Sequence, residues 1–172
     1  MILTGSEIEK CIQQGSIIIT PFSADQVNPN SYNYRIGDNI KVFDSFDGKT
    51  CQFKLVKIPR EGIILYPKQM YLGNTMEIIG SNIYAMSLIG RSSLGRLGLF
   101  LQLSANLGHT TACHQWTLEM YAVQPIKIYP RMIIGQVSFW TNEGDIHQYQ
   151  GTYGKYNIPQ ESFINNNDTY RK

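Results

Sequence analysis

The sequence predicts a mainly-β domain, a β-sandwich or barrel-like jelly roll with one short helix at its start. Three observations carry this. Brief runs of β-branched and aromatic residues follow one another along most of the chain. Turn signals separate them: Gly37-Asp38-Asn39, Asp47-Gly48, Gly73-Asn74, Gly80-Ser81 and Asn142-Glu143-Gly144. No helical pattern of roughly 10–15 residues alternates with the strands, which argues against a parallel α/β architecture.

Thr4 and Glu7 stand at the spacing of a capping box, Ile8, Cys11 and Ile12 then share one helical face, and Gly15 stops the segment. This predicts a helix over 4–14. Strands are predicted over 16–20 (Ile17-Ile18-Ile19), 31–36 (Tyr32, Tyr34, Ile36), 52–58 (Phe53, Val56, Ile58) and 62–65 (Ile63-Ile64). They continue over 70–79 (Tyr71, Ile78-Ile79), 83–89 (Ile83, Tyr84, Ile89), 100–104 (Phe100) and 116–123 (Trp116, Thr117, Tyr121), then 126–129 (Ile126, Ile128) and 133–140 (Val137, Phe139, Trp140).

From about Asp145 the chain turns rich in Tyr, Gly, Gln and Asn, a tail over 145–172 that does not build the core. Its last stretch, 162–172, is polar and has the composition of a mobile terminus. With 172 residues, 42% of them hydrophobic, the chain fits one domain over 1–172 with a real core.

A formal net charge of +2, with lysines and arginines scattered, is too mild for a nucleic-acid binder. Cys11, Cys51 and Cys113 are odd in number and widely spaced, which argues against a disulfide framework and for a reducing compartment. Met1 leads into Ile2-Leu3-Thr4-Gly5 without a basic leader, and no run approaches the roughly 18 apolar residues of a membrane span. A soluble, cytoplasmic protein with no membrane partner is expected.

One segment is chemically dense. Gly90 to Leu99, GRSSLGRLGL, holds two arginines, two serines and three glycines. Arginine offers planar donors to phosphate or a polarised carbonyl, serine adds short donors, and glycine lets backbone N–H groups approach an anion. The plainer reading is one helical turn between two strands, with Leu94 and Leu97 inward, the serines as N-cap and Arg91 and Arg96 in solvent.

The order of segments decides between these. Met1-Ile2-Leu3 with the first helix, Ile19-Thr20-Pro21-Phe22, Val27-Asn28-Pro29-Asn30-Ser31-Tyr32 and Arg35-Ile36-Gly37 come first. Gly90 to Leu99, Thr117-Leu118-Glu119, Pro125 to Pro130, Ile134 to Phe139 and Tyr153-Gly154-Lys155-Tyr156 follow. In this order, nearly end to end, they resemble the deoxycytidine triphosphate deaminases, which share a trimeric fold with the deoxyuridine triphosphatases.

The resemblance implies a dUTPase-like β-barrel or jelly roll with a short helical turn after Gly90, assembled as a homotrimer with active sites at subunit interfaces. It implies hydrolytic deamination of a cytosine deoxynucleotide, dCTP to dUTP and ammonia, with no metal activating the water. Alternatives are another cytosine nucleotide (CTP, dCMP, CMP or a modified base), a dUTPase-type pyrophosphohydrolase, or a nucleotide-binding trimer without turnover.

Deamination at C4 needs a base that takes a proton from water and an acid that returns one to N3 or the departing amine, and one half-desolvated carboxyl can do both. By the resemblance that carboxyl is Glu119. On alternation alone, Glu119 is equally an outward-facing residue between core Leu118 and Met120. The resemblance further implies that Ser92 and Arg96 come from a neighbouring subunit to the reacting base. Arg91 and Ser93 would bind phosphates and the Ala105 backbone would hold water or base.

Tyr149, Lys155 and Gln160 of the tail are the remaining expected substrate contacts. No tightly bound cofactor is implied, and Mg²⁺ arrives with the triphosphate. Three departures bear on specificity. His109 stands where the family has an aspartate that contacts the deoxyribose, Asn33 replaces another aspartate, and Asn157-Ile158-Pro159-Gln160 replaces a glutamine-glycine-glutamine run, with Pro159 removing a donor. His109, Cys113 and His114 do not have zinc spacing, and the zinc deaminase signature is absent. The loop reads as a polar specificity loop.

Overall fold

In the computed structural model, which describes residues 1–163, the chain opens with helix α1 (Gly5–Gln13). The Glu7 backbone N–H donates to Thr4 Oγ1 at 3.4 Å, and Ile8 and Cys11 are buried on the inner face. Gly15, at φ +75°, takes the left-handed position that ends the helix. Of the polar end expected over 162–172, residues from 164 onward lie outside the described residues.

Strands β1 (Ile17–Thr20), β2 (Val27–Asn28), β3 (Ser31–Arg35), β4 (Asn39–Phe46), β5 (Cys51–Lys57), β6 (Ile63–Leu65), β7 (Met70–Asn74), β8 (Ile78–Ser81) and β9 (Tyr84–Gly90) follow. After the short helix α2 (Ser92–Gly95) come β10 (Leu99–Leu101), β11 (Leu107–Gly108), β12 (Cys113–His114), β13 (Thr117–Ala122), β14 (Ile126–Ile128) and β15 (Ile133–Thr141). One five-stranded antiparallel sheet has the order β10-β13-β7-β4-β5 and a second has β11-β9-β15-β3-β2. A three-stranded sheet β1-β8-β12 and the pair β14-β6 complete the β structure of the described residues.

A single core draws on both large sheets. Ile40, Tyr71, Leu118 and Met120 come from the first, and Tyr32, Tyr34, Met86, Leu88, Val137 and Phe139 from the second. The mainly-β architecture with a short N-terminal helix and a helical turn after Gly90 is therefore the observed one.

Several local expectations change. The run 70–79 is two strands in different sheets, because the chain breaks at Thr75–Glu77 to bury Glu77 against Arg35. Arg35 Nε lies 2.6 Å from Glu77 Oε1, and the Arg35 N–H donates to Oε2 at 2.9 Å. Gly73-Asn74 and Gly80-Ser81 are not turns but lie inside β7 and β8. At Gly80 the strand packs so closely on β12 that a Cβ would run into Cys113.

Strand β4 has no counterpart among the predicted strands, since Lys41, Asp44 and Ser45 dilute its apolar pattern. It pairs with β5 across the Asp47-Gly48 turn, where the Asp47 carboxylate accepts from Lys49 N at 2.8 Å and Thr50 N at 2.7 Å. Those donors hold the Asp47 carboxyl down at about 2. The strand expected over 100–104 stops at Leu101 because Gln102 turns into the left-handed region at φ +51°. In α2, Leu94 is buried as expected, but Leu97 is 53% exposed, and Arg91 occupies the N-cap with neither serine capping.

Candidate active site

Strand β13 alternates cleanly. Leu118, Met120 and Ala122 enter the core, and Thr117, Glu119 and Tyr121 take the other face. Glu119 lies opposite Leu72 of β7, in the middle of the first sheet. Its face forms the floor of a cavity of about 500 Å³, also lined by Phe53, Leu72, Trp116, Tyr149 and Gln160.

The Glu119 carboxylate is half-buried and has no hydrogen-bond or ion-pair partner among the described residues. Burial therefore acts unopposed and pushes its pKa above the ordinary glutamate value. A carboxyl shifted in this direction holds a proton more readily than an exposed glutamate does, and with no partner to fix it in one state it is free to act as acid and base in turn.

The tail runs over this cavity. Gln160 N donates to Thr117 Oγ1 at 3.1 Å, Gln115 N donates to Asn157 Oδ1 at 2.9 Å, and Glu161 pairs with Lys41 of β4. Pro159, which has no N–H to satisfy, is buried. Tyr149 N donates to Thr111 Oγ1 at 2.6 Å, and Gly151 lies where a Cβ would meet the Tyr149 hydroxyl.

His109 and His114, five residues apart, part company. His114 lines the Glu119 cavity, its ring tilted 31° against Trp116 with centroids 4.2 Å apart and Nδ1 2.9 Å from Gln115 O, and burial lowers its pKa. His109 lines a second cavity, of about 370 Å³, and stacks on Tyr149, which lines both. His109, Cys113 and His114 form no metal cluster among the described residues. Asn33 is buried, its Nδ2 donating to Asn28 Oδ1 at 3.3 Å.

Other candidate residues lie apart. Lys155 ends a 3₁₀ turn (Thr152–Lys155), exposed and in neither cavity. The Ala105 carbonyl accepts from Gln102 Nε2 at 3.1 Å. Helix α2 sits beyond the far end of β13, since Leu99 pairs with Ala122, about 10 Å along the strand from Glu119. Arg91, Ser92, Ser93 and Arg96 are absent from the Glu119 cavity, and their side chains have no partner among the described residues. Within one chain the arginine–serine turn and the Glu119 carboxyl lie apart.

Gln102, Trp116 and the Lys41–Glu161 pair carry no site signal in the sequence, while His114 entered there only as a metal-ligand candidate and Thr117 only within the Thr117-Leu118-Glu119 segment. Thr117 was within reach of the sequence, two residues before Glu119 on an alternating strand. The others depend on which loops meet.

Residues 2–142 match the family model described as dCTP deaminase-like. A protein of Clostridium beijerinckii named dCTP deaminase, dUMP-forming, is 43% identical over 159 residues, 91% of this chain and 90% of its own. A protein of Hathewaya histolytica with the same name is 42% identical over 159 residues, 91% of each chain. A Rhodopirellula baltica protein named dCTP deaminase is 38% identical over 148 residues, 84% of this chain and 74% of its own. The crystal structure of 2′-deoxycytidine 5′-triphosphate deaminase from Agrobacterium tumefaciens superposes with a TM-score of 0.66 at 21% identity. It covers 82% of this chain, which spans 48% of that one, and the likeness is one of fold.

Proposed function

The chain belongs to the dCTP deaminase-like family, and from that premise we propose that it hydrolyses dCTP at C4 of the cytosine, releasing ammonia, and carries the uracil nucleotide on to dUMP and pyrophosphate. The observation that supports the first step is Glu119: a half-buried, unpaired carboxyl, raised in pKa, on the rigid floor of a nucleotide-sized cavity. The second step is supported by the relatives at 42–43% identity, which are named dUMP-forming. It extends the product expected from the sequence, dUTP, by one hydrolysis.

Glu119 as carboxylate takes a proton from water, whose oxygen bonds to C4. The proton passes to N3, Glu119 then takes the remaining proton from the C4 hydroxyl and delivers it to the amino group, and the C4–N bond breaks to release ammonia as the C4 carbonyl forms. Arg96 and Ser92 of a neighbouring subunit position this water and offset charge at C4, and Arg91 and Ser93 grip phosphates. This division makes the working unit a homotrimer with shared sites.

Tyr149 and Gln160 close the cavity over the nucleotide, with His109 behind Tyr149 and Lys155 reaching phosphate. The Ala105 carbonyl, with one lone pair still free, accepts from base or water. The second hydrolysis attacks the α-phosphate and releases pyrophosphate as a magnesium complex, the cation arriving on the triphosphate. The free thiols suit a cytoplasmic protein. No helix among the described residues is long and apolar enough to cross a membrane.

An ammonia assay with dCTP, CTP, dCMP and CMP, with nucleotide products separated, tests this reading. The expected result is ammonia, dUMP and pyrophosphate in equal amounts from dCTP. Accumulation of dUTP would remove the second step, and absence of ammonia from all four would remove the first.

A further inference from the structure

We propose that Gln102 is a positioning residue that fixes the general-base strand against the loop carrying Ala105, so that carboxylate and base-binding carbonyl are in register before substrate arrives. The proposal rests on the reading of Glu119 as the general base. Gln102 follows the last residue of β10, and its backbone N–H donates to Glu119 O at 3.1 Å. Its side chain returns to the same residue, with Oε1 accepting from the Glu119 backbone N–H at 2.6 Å. The other end of that amide, Nε2, donates to Ala105 O at 3.1 Å.

One residue therefore holds both backbone groups of Glu119 and the carbonyl of Ala105. The chemistry restricts what can do so. A backbone N–H needs an acceptor and a backbone carbonyl needs a donor, and a primary amide presents one of each on a single plane. An ionised carboxylate offers only acceptors, and an alkyl side chain offers neither.

The backbone marks the same position. Gln102 is a non-glycine residue at φ +51°, a conformation that glycine adopts freely and residues with a Cβ avoid. A turn needed only for chain reversal is easiest with glycine. Here the strain is held by a side chain that glycine lacks.

Beyond Ala105 the loop is tied to the other large sheet, with Leu88 N donating to Asn106 O at 2.9 Å and Asn106 Nδ2 to Ser87 Oγ at 3.1 Å. Gln102 is thus the link between Glu119 and a loop anchored on both large sheets.

Two variants test this by ammonia release from dCTP. Gln102→Gly relieves the backbone, so its melting temperature should stay within a few degrees of the parent. Its kcat should nevertheless fall by about tenfold or more while KM for dCTP moves by less than about threefold. A kcat within about twofold of the parent overturns the proposal.

Gln102→Glu decides the matter if the glycine variant does not fold. Its ionised carboxylate keeps the bond from Glu119 N–H but repels Ala105 O, and protonation restores a donor. The ratio of its rate to the parent's should therefore rise as pH falls toward the usual glutamate range near about 4.3, and a ratio flat with pH overturns the proposal. Glu119→Gln run in parallel separates the two failures. If it still releases ammonia, the general-base reading falls and the proposal with it; if it is dead while both Gln102 variants match the parent, the proposal alone falls.

Discussion

The imidazole of His109 lies against the ring of Tyr149, centroids 5.1 Å apart and 19° from parallel. Tyr149 in turn lines the cavity whose floor is Glu119. The resemblance assigned position 109 to a sugar contact, yet in this chain its nearest structural task is to brace a tail tyrosine from the second cavity.

His109→Ala should therefore loosen the tail and raise KM for dCTP by about three- to tenfold, with kcat changed by less than about twofold. His109→Phe keeps a stacking ring without its nitrogens and should restore most of the loss. Steady-state kinetics of both variants check this. A phenylalanine variant as poor as the alanine one would mean that the imidazole nitrogens act and the stack does not.

Glu119 carries a pH prediction whose sign follows from burial. Its pKa is raised, and the base must be ionised, so the acid limb of kcat/KM should lie above the pH at which an exposed glutamate titrates. Glu119→Gln should lower kcat by about 10²–10⁴-fold, the usual worth of a general acid–base.

Stability should move oppositely to activity. A carboxyl whose folded pKa is raised contributes to stability below its unfolded pKa and loses that contribution as pH rises through the folded value. The neutral glutamine should then melt higher than the parent at about pH 8 and gain nothing at about pH 4. Melting curves at the two pH values measure this.

Arg35 and Glu77 form the most buried ion pair among the described residues, the glutamate side chain being fully enclosed. Arg35→Met leaves a buried carboxylate without its counter-charge and should cost about 3–5 kcal/mol, or about 10 °C in melting temperature. A fall of under about 2 °C would show that the pair does not hold the break between β7 and β8. Thermal unfolding reads the difference.

Much of the fold was legible because its signals are local. Thr4 and Glu7 mark the helix start, Gly15 marks its end, and the apolar runs mark most strands. Strand β4 escaped because Lys41, Asp44 and Ser45 give it a polar face. The 70–79 run looked continuous because a buried Glu77 reads as surface until its partner Arg35, 42 residues away, is placed.

The site divides the same way. Alternation put Glu119 on one face of β13 but left open whether solvent or a cavity lies there, and the side chains and tail segment that enclose it come from other elements. His114 and His109 look equivalent in sequence, and only the pairing of β12 with β8 sends His114 to the cavity. Gln102 gave no signal, since neither its left-handed backbone nor its two partners can be read from neighbouring residues.

On the proposed mechanism Glu119 and Arg96 act in the same site from different subunits. Glu119→Gln and Arg96→Met, each inactive alone, should complement when mixed trimers are assembled from equal amounts. Random assembly gives about a quarter of interfaces an intact glutamate on one side and an intact arginine on the other, so ammonia release from dCTP should recover to about a quarter of the parent rate. A mixture no more active than its separate components would contradict the account.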